Sequence, residues 1–251
     1  MHPALSHTDH RPWRLPSSPW VGRQSWLDLL FAHWPIRVDQ VRHLVPPELL
    51  VQEFGGTSWI GLVPFRMQGV MLRPLPDMPG ISAFPELNVR LYVEMGGKPG
   101  VWFLSLDADH ALAVWAARAA FHLPYYRARM SLRQLGDGID YSSVRRDASA
   151  RFRGQYRPVG DLFAASPGSL EHWLTERYCL YAMSPSGKLR ITEVHHRPWP
   201  LQNAAALVIE NSMFEPHGIK VKGAPVRHFA RRLDVVFWSP RRVSTEGEGS
   251  D

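Results

Sequence analysis

Residues 125–146, "YYRARMSLRQLGDGIDYSSVRR", decide how this chain is read. Arg127, Arg129, Ser131 and Arg133 alternate with Ala128, Met130 and Leu132. Successive side chains of a strand point to opposite faces, so the alternation predicts a half-buried strand. Asp137 and Gly138 supply a hairpin signal, and a second strand is expected over 139–146. The pattern repeats outward, with strands expected over 57–67, 86–95, 101–106 and 150–157. Later ones follow in "LRITEVHH", "AALVIENSM" and "RRLDVVFW". "MGGKPG" reads as a hairpin turn between two of them. Short strands punctuated by Gly, Pro and Asp point to an antiparallel sheet or barrel.

Three helices interrupt the strands. "DQVRHLV" (39–45) is halted by two prolines, and "SLEHWLTERY" (169–178) has Ser169 as its cap. "ADHALAVWAARAAF" (108–121) is apolar almost all round, which predicts a buried helix. Asp107 or Asp109 is placed to cap it and Pro124 to end it. The expected class is α+β. The expected division is a flexible N-terminal arm (1–19), one domain (20–240) and a disordered tail (241–251), since both ends are polar.

Of the 251 residues, 45% are hydrophobic and 21% charged, close to ordinary globular usage. Cys179 is the single cysteine, so no intrachain disulfide can form. The first twenty residues lack the apolar stretch of a signal peptide, and no run is long enough to span a membrane. A soluble, cytoplasmic protein is expected. The net charge of +6 comes mainly from arginine, with lysine only at 98, 188, 220 and 222. The densest basic stretch, 220–242, fits a solvated strand face better than a nucleic-acid surface, which needs a basic stripe with exposed aromatics.

No HExxH, CxxC, GxSxG, GxxxxGKS or GxGxxG occurs, which argues against zinc, P-loop, dinucleotide and common hydrolase chemistry. No metal and no cofactor is expected. His195 and His196 are strand neighbours, so at most one can join a given site. Cys179 reads as a small buried hydrophobe. "ELNVRLYVEM" sets Glu86, Asn88, Arg90, Tyr92 and Glu94 on one face and Leu87, Val89, Leu91 and Val93 on the other. If the polar face looks inward, Arg90 could grip a carboxylate and Glu86 handle a proton. If it looks outward, it is a solvated surface.

Several segments together resemble the YqjF-like family, a domain of unknown function. They include "LVPPELLVQEFGGTSWIGLVPFRM", "FPELNVRLYV", "GKPGVWFLSLDA", "ARAAFHLPYYRARM", "LTERYCLYA" and "VHHRPWPLQ", and the likeness runs from Trp20 to Trp238. That family in turn is similar to acetoacetate decarboxylase, which implies a cone-shaped antiparallel barrel with a few helices, one of them buried. Those enzymes carry a strand glutamate, a glycine turn, a buried helix and a Gly-Arg-Glu…Gly-Phe-Pro-Lys-Lys segment. Glu86, Gly100, Arg118 and Pro124 fall at matching spacings, and the two lysines align with Tyr125 and Tyr126. Ala117, Ala119 and His122 also depart from the pattern. Tyrosine forms no iminium, so the amine-based decarboxylation of those enzymes is not expected here.

What the resemblance leaves is a pocket. Glu86, His122 and Tyr125 are the candidate acid–base residues, and Arg90, Arg118, Tyr126 and Asn88 the candidate ligand contacts. The expected partner is a small molecule, a carboxylate among the candidates. Self-association stays open, because the decarboxylases form larger oligomers. Three readings compete: a lyase, hydratase or isomerase acting on a small oxo-acid; a ligand-binding or sensor barrel that lost its chemistry; and, last, a basic nucleic-acid-binding protein.

Overall fold

A computed structural model describes residues 2–74, 82–110 and 120–243. Among these, thirteen strands form one sheet: β1 (Gly22–Ile36), β2 (Leu50–Val51), β3 (Ser58–Leu72), β4 (Phe84–Met95), β5 (Lys98–Ala108), β6 (Tyr125–Leu135), β7 (Gly138–Arg145), β8 (Arg151–Phe163), β9 (Cys179–Met183), β10 (Leu189–His196), β11 (Leu201–Asn211), β12 (Val226–Phe237) and β13 (Arg241–Arg242). Two short helices, α1 (Val38–Val41) and α2 (Leu170–Thr175), complete the α+β class. Ser169 caps α2 as expected, accepting from the His172 N–H at 3.2 Å.

The sheet closes on itself. From β5 the neighbours run β6, β7, β8, β11, β12, β1, β3 and β4, and β4 pairs back with β5. A second path between β5 and β12 passes through β9 and β10 alone. This is possible because each strand shares one edge: β5 meets β9 at 101–102 and β6 at 106–108, while β12 meets β11 at 228–230 and β10 at 235–237. Nine strands lie along one path around the ring and seven along the other. Two of the pairings, β5 with β6 and β5 with β9, are parallel. A parallel neighbour needs a crossover, and residues 109–124 supply it for β6. The helix expected over 108–121 falls largely at 111–119, outside the described residues, as does Arg118.

The hairpins follow their glycines. Gly96 and Gly97, both with positive φ (58° and 71°), join β4 to β5 as a type I′ turn requires. Leu135 pairs with Gly138, so the β6–β7 turn lies on Gly136 and Asp137, one residue earlier than the sequence predicts. Gly136 takes φ 60° at the first turn position, where a type II′ turn demands glycine.

β1, the central strand between β12 and β3, is not predicted by alternation. It is buried on both faces, Leu29 and Phe31 in one core cluster and Leu30, Ala32 and Trp34 in another, so its sequence reads as a continuous apolar run. A bulge at Asp28 (φ 52°) shifts the β1–β3 register and aims the carboxylate at Arg66 (3.3 Å) and Arg231 (2.7 Å).

The first nineteen residues, expected from their composition to form a flexible arm, make contacts with the body of the fold. Arg11 is 8% exposed, donates to the Val194 carbonyl at 2.6 Å and pairs with Glu193 at 2.5 Å. The Ala4 carbonyl meets His195 Nε2 at 2.9 Å. The buried Glu193 carboxylate on β10 is one of the groups that tie the segment to the fold, a contact no local pattern announces. At the other end Arg241 and Arg242 pair with β10, so the expected disordered tail begins as a strand, and 244–251 lie outside the described residues. No helix among the described residues is long and apolar enough to cross a membrane.

Gly100 sits where β5 meets β9. A Cβ there would meet Cys179 Sγ at 2.6 Å and the Cys179 carbonyl oxygen at 2.8 Å. Gly100→Ala is therefore expected to cost about 1–3 kcal/mol through overpacking. The check is urea unfolding, where the midpoint falls at unchanged slope.

Candidate functional site

The polar face of β4 looks inward. Glu86, Asn88 and Arg90 line a cavity of about 400 Å³, while Leu87, Val89, Leu91 and Val93 on the opposite face belong to the larger core cluster. Both faces of β4 are thus covered, which resolves what periodicity left open. Most of the cavity wall is apolar, from Trp26, Phe65, Phe84, Phe103, Trp199 and Phe237 among others.

Glu86 is 2% exposed. The Tyr125 hydroxyl donates to its Oε2 at 2.7 Å, and Asn88 also hydrogen-bonds its carboxyl. Burial raises the Glu86 pKa from 4.5 to about 8, against the opposing pull of those two hydrogen bonds. Among the described residues no cation touches the carboxyl, so desolvation wins. Glu86 is then mostly protonated at neutral pH, with its ionised form within reach. Tyr125 stays neutral, its pKa raised by burial and by Glu86.

Tyr125 is brought to Glu86 because β6 starts beside the end of β5, with Leu106 opposite Tyr125. Adjacent strand residues point oppositely, so Tyr126 turns away and packs under Arg145, whose guanidinium carbon lies 4.0 Å from the ring centroid. His122 does not join Glu86 either. It adopts φ 55° and lines a second depression with Tyr125, Tyr126, Met183 and Pro185, one that Glu86 does not line. Asp107, expected as a helix cap, instead closes β5 with a buried ion pair to Arg145 Nε at 2.8 Å.

Arg90 reaches across the cavity's buried end. Its Nε donates to the Tyr92 hydroxyl and its Nη2 to the Leu174 carbonyl, both at 3.2 Å. Arg177 lines the same end, with Nε on the Trp173 carbonyl at 2.7 Å and Nη1 on Gln52. Arg177, Trp26 and His196 were missed as site residues by sequence reasoning. Arg177 lies in "LTERYCLYA", which was singled out only as a family signature. His196 faces the cavity and His195 faces the N-terminal segment, as strand alternation requires. Burial lowers both imidazoles, His195 to about 4.

Cys179 also lines the cavity, but burial pushes its thiol up to about 12. The thiolate is the reactive form, so the native protein is expected to resist iodoacetamide at pH 8 while the urea-unfolded chain is alkylated at once. Equal rates in the two states would mean that the thiol is accessible and ionised.

No group of three or more possible metal ligands occurs among the described residues. The basic stretch at 220–242 is largely tied into the fold, with Arg231 on Asp28, Arg232 on Asp234 and Arg241 on Glu193.

Comparison with known proteins agrees with this geometry. The chain is 47% identical over 232 residues to the uncharacterized protein YqjF of Bacillus subtilis (strain 168), covering 92% of this chain and 96% of that one. Among solved structures, the enduracididine biosynthesis enzyme MppR superposes with a TM-score of 0.65 at 12% identity, over 91% of this chain and 89% of that one. MppR has also been solved in complex with pyruvate. Acetoacetate decarboxylase from Legionella pneumophila matches with a TM-score of 0.60 at 14% identity, over 96% and 94% of the two chains. At such identities the likeness establishes the fold, which is the acetoacetate-decarboxylase-like one. Residues 23–234 match the family described as an uncharacterized conserved protein, DUF2071, and the chain belongs to that YqjF-like family.

Proposed function

We propose that the chain catalyses proton transfer on a small oxo-acid or its enol, as a lyase, hydratase or isomerase that works without a lysine imine. The observation that carries this reading is the Glu86–Tyr125 pair, a carboxyl of pKa about 8 held at 2.7 Å from a neutral phenol in an apolar cavity. A general acid–base residue works best when its pKa lies near the working pH. In its acid form Glu86 gives its proton to the α-carbon of an enolate and becomes a carboxylate, which Tyr125 and Asn88 then stabilise. The reverse step removes a proton next to a carbonyl. Trp26 Nε1, a buried cavity donor with no partner among the described residues, is suited to bond the enolate oxygen. No lysine lines the cavity among the described residues, so the imine route has no support. The fold neighbour's complex with pyruvate supports the oxo-acid class by analogy alone.

The test is hydrogen exchange at C3 of pyruvate, 2-oxobutyrate and 2-oxooctanoate in D2O, followed by NMR. Protein-dependent exchange that disappears in Glu86→Gln is the expected result. No exchange with any of the three would overturn the reading. A second reading, a binding or sensor protein without turnover, draws on the aromatic lining of the cavity. It is favoured if one of these acids binds, Tyr125→Ala abolishes the binding, and no exchange occurs.

A further inference from the structure

Two arginines at the buried end of the cavity have no counter-ion among the described residues. Arg90 is 9% and Arg177 6% exposed, and neither makes an ion pair among the described residues. Arg177 Nη2 is buried with no hydrogen-bond partner among the described residues. Arg90 commits Nε and Nη2, and no bond is made by its Nη1 among the described residues. The two share the Tyr92 ring, their guanidinium carbons 5.5 and 5.0 Å from its centroid. Burial and then the charge of Arg90 push the Arg177 pKa down to about 10. Nearby groups do little to offset this pair. Gln52 passes only a neutral amide between Arg177 and Glu94, and His33, against the Tyr92 hydroxyl at 2.6 Å, is held neutral by burial.

Buried charges in proteins are paired, because desolvation without a partner costs several kcal/mol. Two adjacent guanidinium groups on the wall of a cavity, without an ion pair among the described residues, are complementary to an anion. We propose that Arg90 and Arg177 form an anion subsite for the carboxylate of an amphipathic organic acid, whose apolar body fills the cavity toward Glu86. The subsite rests on reading the cavity as a small-molecule site, and it holds whether or not Glu86 transfers a proton. Glu86 and Arg90 stand four residues apart on β4, about 13 Å along the strand. An acid longer than pyruvate, its carboxylate at Arg90 and its chain toward Glu86, suits this spacing. Most of the remaining wall is aromatic and aliphatic, which fits a medium-length hydrocarbon chain.

The test compares octanoate, octanol and acetate by titration calorimetry on the full chain, with Arg90→Met, Arg177→Met and the charge-keeping Arg90→Lys. Octanoate is expected to bind at least about tenfold more tightly than octanol or acetate. Both methionine variants should lose the preference for octanoate over octanol, and Arg90→Lys should keep part of it. Glu86→Gln should bind octanoate as the wild type does while losing exchange activity, so failure of the catalytic reading leaves the subsite standing. Equal affinity for octanoate and octanol overturns the subsite, as does no binding of octanoate. If a methionine variant fails to fold, the wild-type preference for acid over alcohol still decides.

Discussion

Asp107→Asn is expected to lower the thermal unfolding midpoint by about 10 °C, the largest stability loss of any single change considered. Asp107 and Arg145 are 0% and 1% exposed, and the carboxylate also accepts from Ser143 Oγ at 3.1 Å. The pair is not a strong source of net stability. Burial raises the Asp107 pKa despite the arginine beside it, so desolvation cancels much of the attraction. Its loss is costly for a different reason. An amide in place of the carboxylate leaves a full guanidinium charge in the interior, where breaking a buried pair costs about 3–5 kcal/mol. The double variant Asp107→Leu with Arg145→Met removes both charges and should recover most of the midpoint. A double variant no better than the single would assign the loss to packing.

The same variant tests how the site is supported. Arg145 covers the Tyr126 ring, and Tyr126 precedes the rest of β6 just after Tyr125. Loosening this corner should shift Tyr125 relative to Glu86. Asp107→Asn is therefore expected to weaken exchange activity even at temperatures where the protein stays folded.

The amphipathic strands were legible in the sequence because one face is buried and the other is not. β6 and β8 follow this rule, and the alternations from Arg127 to Arg133 and from Arg151 to Arg157 announced them. β1 and β9 escaped it because both of their faces are largely covered, which erases the period of two. The Glu86–Tyr125 contact was expected from the family resemblance, with Glu86 on β4 and Tyr125 at the position of a decarboxylase lysine. His122 was grouped with them by proximity in sequence, but backbone direction at φ 55° decides where a side chain goes. Arg177 went unread because nothing local separates an arginine on a cavity wall from one in a surface ion pair. Arg11 is the same problem in reverse, a polar residue near a terminus whose partner lies 182 positions away.

Glu86→Gln is expected to abolish activity and yet make the protein more stable, a combination that a structural residue would not give. The carboxyl has an ordinary value of 4.5 and a folded value of about 8. Between these the folded chain holds a proton that the unfolded chain has released, so stability must fall as pH rises through that window. At one pKa unit per 1.4 kcal/mol, the full penalty above pH 8 is on the order of 5 kcal/mol. Glutamine cannot ionise and carries none of it. Its oxygen can still accept from Tyr125, and its amide can donate to Asn88 Oδ1, a buried acceptor with no partner among the described residues. Urea unfolding of the two proteins should therefore agree near pH 4.5 and diverge by several kcal/mol at pH 9, with the variant the more stable. Exchange activity should drop by about a hundredfold or more. Stability curves that run parallel from pH 5 to 9 would mean that the carboxyl is ionised in the folded protein, and the acid assigned to this site would have to be another group.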